Sequence, residues 1–531
     1  MFLSMESINH ILETIRPNRS ALFGFFSMMP KGGDLHHHYS GSIYAESYID
    51  YVFYKDYYIN EETLEIAKDI SGIPDNAKSD WKLLSKIPIK DRDKVKLKLL
   101  RQWSTKDFVK GERSSDEHFF STFPGFNIAS KENFAEGLRE LKARAVNQRL
   151  SYLETIFISA NTKDINLPNE AELDAKFLGY QKQKNEVALF SELEAIFSSQ
   201  SAALKKIADS HTKLVEQCHT ESQVESGTGE EPGPEEVFVL RFQNYVARYK
   251  QPVDVFIDLC VCFYSCDSSR LISGVNIVGA ENSEVAMRDY WLHTMYFKFL
   301  EGKFPRVRYA IHAGELVGGM VQPEKLGTHI KQSLVLENLR RIGHAVDIIY
   351  DRDFSDTIEK IQKKNLAIEI NLTSNEFILG VANDLHPVEI YFTNGIPIVI
   401  CTDDEGVLRT SVSEQYVLLA HRYRLSYTEI RQIVRNSIVY SHLEDDTIKQ
   451  RLLAKLDQDF AAFERDVLHR FKVLVTQPTP IGPHAQPADR SDLLRELPGE
   501  AVAGRLEASL APSGGLSSGI KFRSISTLYR G

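Results

Sequence analysis

The sequence predicts an α/β fold, a (β/α)8 barrel of the TIM type with extra helices. Two observations carry this prediction. Eight short, mainly apolar runs alternate with helix-like segments along the 531 residues, and the runs are apolar enough to lie in a parallel sheet that is covered on both faces. In addition, no glycine-rich phosphate loop follows an early strand, so a doubly wound open sheet is the less favoured alternative.

We predict the strands where apolar and β-branched residues concentrate. The eight candidate strands are 34–39, 152–158, 253–264, 272–279, 307–313, 344–350, 366–372 and 396–403. Helix-like segments lie between them, among them 281–302, 333–343, 354–365 and 386–395. The stretch from about 42 to 115 is charged and also resembles helix.

The chain is expected to divide into a helical lead-in (1–27), the barrel (28–445), a C-terminal helix packed on the barrel (446–475) and a flexible tail (476–531). The tail holds six of the nineteen prolines and a single lysine, a composition typical of disorder. Residues 221–236 contain six Glu and no Lys or Arg. They predict a solvated loop inserted into the barrel.

Composition restricts the class of protein. The 63 Lys and Arg stand against 73 Asp and Glu, a net charge of −10 without a basic block, which argues against a nucleic-acid partner. No charge-free apolar run reaches the ~18 residues of a membrane helix, and the apolar stretch 21–29 is too short and too far along the chain for a typical signal peptide. Five cysteines, an odd number, fit buried thiols of a reducing compartment. We therefore expect a cytoplasmic protein without a membrane or nucleic-acid partner; the oligomeric state is left open.

Barrel enzymes carry their reactive groups at the C-terminal ends of the strands. Polar residues that could react or bind metal occur at or near the ends of four candidate strands. They are His36, His38, His312, Glu315, His344, Asp403 and Asp404.

His36 and His38 are two positions apart on a strand, so both imidazoles point to the same side. Two such histidines are half of a zinc site, which His312 and an Asp could complete with room left for water. Each residue alone also has a structural explanation, because a single His is often a core residue and an Asp pair often caps a helix. Their joint position at the strand ends favours the metal site.

Five short motifs carry a resemblance to a known family. They are MPKGGDLHHHYSG (29–41), HAGE (312–315), RIGHAVD (341–347), SNEFIL (374–379) and CTDDEG (401–406). In this order and spacing the chain resembles the adenosine deaminase-like metal-dependent hydrolases, the adenosine and AMP deaminase family, from about residue 28 to 445. The resemblance implies one zinc ion and the hydrolytic deamination of adenosine or 2'-deoxyadenosine to the inosine product and ammonia, in purine salvage or catabolism.

The resemblance also assigns metal ligands by position. His36 and His38 match the metal pair of the first strand, His312 matches the third histidine ligand, and Asp403 matches the carboxylate ligand.

The remaining motif residues match groups that act on the substrate. Glu315 matches the acid that protonates the purine ring nitrogen, and His344 matches the histidine that orients the attacking water and helps to deprotonate it. Asp404 matches the carboxylate that hydrogen-bonds the water and the base. Gly279 matches the glycine whose backbone faces the purine.

Two positions depart from the family pattern. Ser40 stands where adenosine deaminases usually have the Asp that receives the sugar 5'-hydroxyl, and Glu405 stands where Pro usually follows the Asp pair. An Asp at position 40 would repel a phosphate, whereas Ser40 would not. AMP, adenine or an N6-modified adenine nucleotide is therefore the alternative substrate, and a catalytically silent nucleoside-binding barrel is the alternative from another class.

Overall fold

The computed structural model describes residues 2–111, 113–223 and 238–470. Its strands are β1 (Gly32–His38), β2 (Tyr58–Asn60), β3 (Ile66–Ala67), β4 (Trp81–Leu83), β5 (Leu150–Ile156), β6 (Val239–Ala247), β7 (Ile272–Val278), β8 (Tyr309–Ala313), β9 (Leu339–His344), β10 (Ala367–Ile370) and β11 (Ile398–Ile400).

Eight of these strands form one parallel sheet, in the order β1-β5-β6-β7-β8-β9-β10-β11. The sheet curls until its two ends meet, because the backbone of β1 reaches the residues that follow β11. The amide of His38 donates to the carbonyl of Asp403 (3.0 Å), and the amide of Asp403 donates to the carbonyl of His36 (2.9 Å). The predicted (β/α)8 barrel is confirmed.

Helices surround the barrel. They are α1 (Phe2–Ile15), α2 (Arg19–Met28), α3 (Tyr39–Ser42), α4 (Ala45–Tyr54), α5 (Ile89–Gln102), α6 (Ser115–Lys131), α7 (Phe134–Asn147), α8 (Glu170–Gln183), α9 (Glu186–Gln223), α10 (Pro252–Ser268), α11 (Glu284–Lys303), α12 (His329–Ser333), α13 (Phe354–Lys364), α14 (Leu372–Leu379), α15 (Val388–Thr393), α16 (Glu405–Leu408), α17 (Val412–Arg422), α18 (Tyr427–Val439) and α19 (Asp446–Arg470).

The prediction of a strand over 253–264 is wrong, because this run lies inside helix α10. Pro252 occupies the first turn of α10 and starts it, a position in which proline costs no hydrogen bond. The helix is buried on nearly every side, so its sequence has no polar face that would reveal a helical period. Cys260 and Cys262, both buried free thiols, lie on this helix.

The missing barrel strand is β6, which the sequence analysis did not include. This strand carries Gln243 and Asn244, and both side chains are buried. Polar side chains that point into a barrel interior interrupt the apolar run by which the other strands are found.

The strand predicted over 344–350 is displaced. The strand is β9, which ends at His344, and residues 346–350 form a short 3-10 helix. Arg340 and Arg341 gave the preceding segment a helical character. Arg341 is nonetheless fully buried, because it pairs with two carboxylates inside the barrel.

The charged stretch between 42 and 115 contains more than helix. Strand β2 pairs with β3 and β4 in a small antiparallel sheet between α4 and α5. The strands are two or three residues long, too short for an alternating pattern to predict them.

The N-terminal helices belong to the folded core. Helices α1 and α2 pack against α17, α18 and α19, and Leu22, Phe25 and Phe26 from the apolar stretch 21–29 are fully buried. In the part of the chain that the structure describes, no helix is both long and apolar enough to cross a membrane. The tail 476–531 and most of the acidic segment 221–236 lie outside the described residues, so both expectations stay predictions.

Candidate metal centre and active site

The predicted metal ligands meet at the carboxyl ends of three barrel strands. His36 and His38 are the last inward-facing residues of β1, His312 lies near the end of β8, and Asp403 follows β11. His344, the last residue of β9, joins them: its imidazole lies 4.9 Å from that of His36 and 5.3 Å from that of His312, measured between ring centroids.

The ring nitrogens converge on one point. The Nε2 atoms of His38 and His312 are 3.2 Å apart, and Asp403 Oδ1 lies 3.5 Å from His36 Nε2 and 3.4 Å from His38 Nε2. The Nε2 atoms of His36 and His344 are buried and have no hydrogen-bond partner among the described residues. Buried polar atoms without partners are rare in folded proteins. Converging nitrogen and carboxylate atoms of this kind fit a zinc ion.

The backbone at the site adopts an unusual conformation. His344, Ala345 and Asp403 have φ values of 66°, 49° and 62°, in the left-handed region that side-chain-bearing residues rarely occupy. Each such residue costs about 1–3 kcal/mol, and such strain concentrates at functional sites. The residue before His344 is Gly343, and a side chain has no room there because a Cβ would lie 2.8 Å from Cε1 of His36.

The acidic residues next to the site have perturbed pKa values. Burial, together with the charge of Asp403, raises the pKa of Glu315 well above its usual range. Burial and the same neighbour raise the pKa of Asp404. Burial lowers the pKa of His344 to about 3. These shifts favour the protonated carboxyl groups of Glu315 and Asp404 and the neutral imidazole of His344.

Glu281 holds the segment that carries Glu315. Its carboxylate accepts the backbone N–H groups of Gly314 (2.9 Å) and Glu315 (2.7 Å), and it pairs with Nδ1 of His329. Glu281 follows β7, one strand away, so the loop after β8 is anchored to its neighbour. The sequence analysis did not identify this residue.

One cavity of about 970 Å³ opens from these groups to the surface. Every predicted site residue except His36 lines it, including Ser40 and Gly279. His36 is fully buried and does not line the cavity. One wall is aromatic and comes from α6, with Phe119, Phe120, Phe123 and Phe126. Polar residues from the segments after β5 and β6 also line the cavity, among them Asn161, Thr162, Lys163 and Lys250.

The structure adds hydrogen-bond partners that the sequence analysis missed. His36 Nδ1 lies 2.6 Å from Glu369 Oε2, His312 Nδ1 lies 3.0 Å from Asn276 Oδ1, and Asn375 Nδ2 donates to His344 Nδ1 at 2.9 Å. One signal was available for Glu369, since it is a single carboxylate in the buried strand AIEI of β10.

Comparison with known proteins places this site in context. The family model described as "Adenosine deaminase" matches residues 263–459. The chain is 36% identical over 129 residues to N6-Methyl-AMP deaminase of Danio rerio, over 24% of this chain and 37% of that protein. It is 28% identical over 152 residues to adenosine deaminase of Enterococcus faecalis, over 28% of this chain and 41% of that protein. The aligned part thus spans about two fifths of these relatives.

Solved structures share the fold over most of the chain. The N6-mAMP deaminase MAPDA of Arabidopsis superposes with a TM-score of 0.51 at 17% identity, over 82% of this chain and 99% of that one. Arabidopsis ADAL, solved in complex with IMP, gives a TM-score of 0.52 at 17% identity and the same coverage. At identities this low, these superpositions establish only the shared barrel fold.

Proposed function

We propose that the chain, which matches the adenosine deaminase family model over residues 263–459, catalyses the zinc-dependent hydrolytic deamination of adenosine and 2'-deoxyadenosine. Water replaces the 6-amino group, and the products are the inosine nucleoside and ammonia. One observation carries the proposal: a set of converging histidine and aspartate ligands lies in the same cavity as a Glu315 whose pKa is raised.

His36, His38, His312 and Asp403 would hold one zinc ion. The orphaned Nε2 of His36 and the 3.2 Å approach of His38 Nε2 to His312 Nε2 support this assignment, because a cation at their meeting point gives each lone pair a partner. A bound zinc ion lowers the pKa of a water molecule to about 7 and so provides a nucleophile at neutral pH.

Glu315 would supply the proton that the purine needs. The ring carbon that carries the amino group accepts a nucleophile only when the neighbouring ring nitrogen is protonated. Glu315 is buried in the cavity wall, and its raised pKa favours the protonated form. A carboxylic acid with a raised pKa is suited to this donation.

His344 and Asp404 would contact the attacking water. His344 is neutral, and its Nε2, which has no protein partner among the described residues, is available to a water molecule. Asp404 Oδ1 is likewise buried and without a partner there. Because Asn375 Nδ2 donates to His344 Nδ1, the neutral ring carries its proton on Nε2, and we assign His344 to orient the water with this N–H. We assign Asp404 to hydrogen-bond the water and the base. Gly279 lines the cavity and would face the purine with its backbone.

The experiment that tests this proposal compares kcat/KM for adenosine, 2'-deoxyadenosine, adenine and AMP on the purified, zinc-loaded chain. The proposal expects the two nucleosides to be the best substrates. A higher kcat/KM for AMP or for an N6-modified AMP would instead select the second candidate function.

The second candidate is a deaminase of AMP or an N6-modified adenine nucleotide. Two observations favour it. Ser40 lines the cavity without a negative charge, and Lys163 and Lys250 lie in the cavity wall. Lys250 and Thr162 are both held by the buried carboxylate of Asp258, so this part of the wall is ordered. The relatives named N6-Methyl-AMP deaminase agree with such a substrate.

Ser40→Asp distinguishes the two candidates. We expect the variant to lower kcat/KM for AMP by at least about tenfold, because an aspartate in the cavity repels the phosphate. We expect kcat/KM for adenosine to stay the same or to rise, because the nucleoside carries no charge. The matched control is Ser40→Asn, which changes size without charge. Equal losses for AMP and adenosine in Ser40→Asp would show that position 40 does not face the 5' end of the substrate.

We also infer that the protein acts in the cytoplasm. All five cysteines are free thiols, and four of them are buried. Structural thiols that are left unpaired in this way are typical of reducing compartments.

A further inference from the structure

A connected set of hydrogen bonds inside the barrel lies below the candidate metal ligands. It begins at His36, whose Nδ1 lies 2.6 Å from Glu369 Oε2. Glu369 Oε1 accepts Nε–H of Arg341 at 2.6 Å. Because Arg341 is positively charged and donates to it, Glu369 is an anionic acceptor. In its neutral form, the form that binds a metal, His36 then carries its proton on Nδ1, which leaves the lone pair of Nε2 toward the ligand site.

The same arginine reaches a second carboxylate. The terminal Nη2 of Arg341 donates to Glu154 Oε1, and its Nη1 donates to the carbonyl of Tyr440 at 2.9 Å. Glu154 also accepts the hydroxyl of Tyr152 (2.7 Å) and the amide of His442 (3.0 Å). All these side chains are fully buried. Although burial opposes it, the charge of Arg341 holds the pKa of Glu154 below its usual range, so Glu154 only accepts.

Two side-chain amides, those of Gln243 and Asn276, connect Glu154 with His312. Gln243 Nε2 donates to Glu154 Oε1 (2.9 Å), and Asn276 Nδ2 donates to Gln243 Oε1 (3.1 Å). Asn276 Oδ1 then faces His312 Nδ1 at 3.0 Å. Because the carboxylate of Glu154 can only accept, Gln243 must turn its NH2 group to Glu154 and its oxygen to Asn276.

The orientation of Asn276 has a second, independent support. The backbone N–H of Ile277 donates to Asn276 Oδ1 at 2.9 Å, so the oxygen must be the atom that faces His312. His312 therefore carries its proton on Nδ1, and its Nε2 lone pair is directed to the point where His38 Nε2 also lies. Outer hydrogen bonds of this kind select the tautomer of metal-binding histidines.

We propose that Arg341 is a positioning residue that sets the metal-binding tautomer of both His36 and His312, through Glu369 on one side and through Glu154, Gln243 and Asn276 on the other. One buried cation thus prepares two ligands that come from different strands. The inference rests on the proposed metal site. It also gives a purpose to a fully buried arginine with two carboxylates, an arrangement that seldom adds stability compared with apolar packing.

Glu369→Gln is the most direct test. Arg341 would still donate to the amide oxygen of the variant, so the amide nitrogen would face His36 Nδ1. His36 would then carry its proton on Nε2 and could not bind zinc without rearrangement. We expect the affinity for zinc, measured by competition with a chelating indicator on the metal-free protein, to fall by roughly 10–100-fold.

Arg341→Lys tests the arginine itself. Lysine keeps the positive charge but lacks the fork that donates to both carboxylates, and we expect a weaker affinity for zinc. The matched control is Arg340→Lys, since the neighbouring residue on β9 is exposed and bonds only to backbone carbonyls. Thermal unfolding of the metal-free proteins shows whether each variant folds. The ¹⁵N shifts of labelled histidines report the tautomer of His36 and His312 without metal, which a merely structural role would not change.

The outcomes separate this inference from the proposed function. Weaker zinc binding in both folded Glu369→Gln and folded Arg341→Lys, with a changed histidine tautomer and wild-type affinity in Arg340→Lys, supports it. Wild-type affinity in both folded Glu369→Gln and folded Arg341→Lys overturns it and leaves the proposed function intact. If the wild-type chain binds no zinc, the proposed function fails and the inference fails with it.

Discussion

Glu315→Gln is expected to lower kcat for adenosine deamination by roughly 10²–10⁴-fold, the usual contribution of a general acid. Glutamine has the size and shape of glutamic acid and can donate a hydrogen bond, but it cannot transfer a proton to the purine ring nitrogen. Glu315 does not belong to the ligand set, so the zinc content is expected to stay the same. Steady-state kinetics and metal analysis on the same sample measure both quantities.

The control for this variant is Glu324→Gln, which changes an exposed glutamate in the following loop and is expected to leave kcat unchanged. The pH profile of the wild-type enzyme gives a further check. Because Glu315 acts in its protonated form and its pKa is raised, activity is expected to persist far above the usual pKa of a glutamic acid and to fall as rising pH removes the proton. A zinc-loaded Glu315→Gln variant with the wild-type kcat would remove Glu315 from the mechanism.

Asp403→Asn is expected to weaken zinc binding and to abolish activity, whereas Asp404→Asn is expected to abolish activity with zinc still bound. The two residues are adjacent and both buried, but they face different atoms. Asp403 Oδ1 lies within 3.5 Å of the Nε2 atoms of His36 and His38, as a ligand of the same ion would. Replacing the carboxylate of Asp403 by an amide removes the anionic member of the proposed ligand set.

Zinc content after gel filtration, together with kcat for adenosine, distinguishes the two variants. An exposed change, Asp384→Asn, serves as the control, since Asp384 lies on the surface away from the cavity lining. If Asp403→Asn retained one zinc ion per chain and Asp404→Asn lost it, the roles of the two aspartates would be exchanged.

The strand ends were the part of the structure that the sequence predicted best. His36, His38, His312 and an aspartate could be placed together because parallel strands in one barrel end at the same face, and the family resemblance singled out Asp403. The strand between β5 and β7 was assigned to the wrong segment for the opposite reason. Polar residues such as Gln243 interrupt β6, while the helix α10 is apolar throughout.

The residues that form hydrogen bonds behind the candidate ligands could not be predicted from the sequence. Glu369, Arg341 and Asn276 lie on three different strands, and only their register across the sheet brings them under His36 and His312. In the sequence Glu369 and Asn276 are single polar residues between apolar neighbours, and Arg341 follows a second arginine. Arg341 even favoured a helix over β9, because an arginine in a strand is expected to be exposed unless carboxylates are known to face it.

The measurement that tests the central claim most directly is ammonia release from adenosine, with zinc content determined on the same sample. The account predicts one ammonia and one inosine per adenosine consumed, close to one zinc ion per chain, loss of activity with a strong chelator and recovery when zinc is returned. A zinc-loaded, folded chain that releases neither ammonia from adenosine, 2'-deoxyadenosine, adenine and AMP nor methylamine from N6-methyl-AMP would contradict it and would leave a nucleoside-binding barrel without deaminase activity.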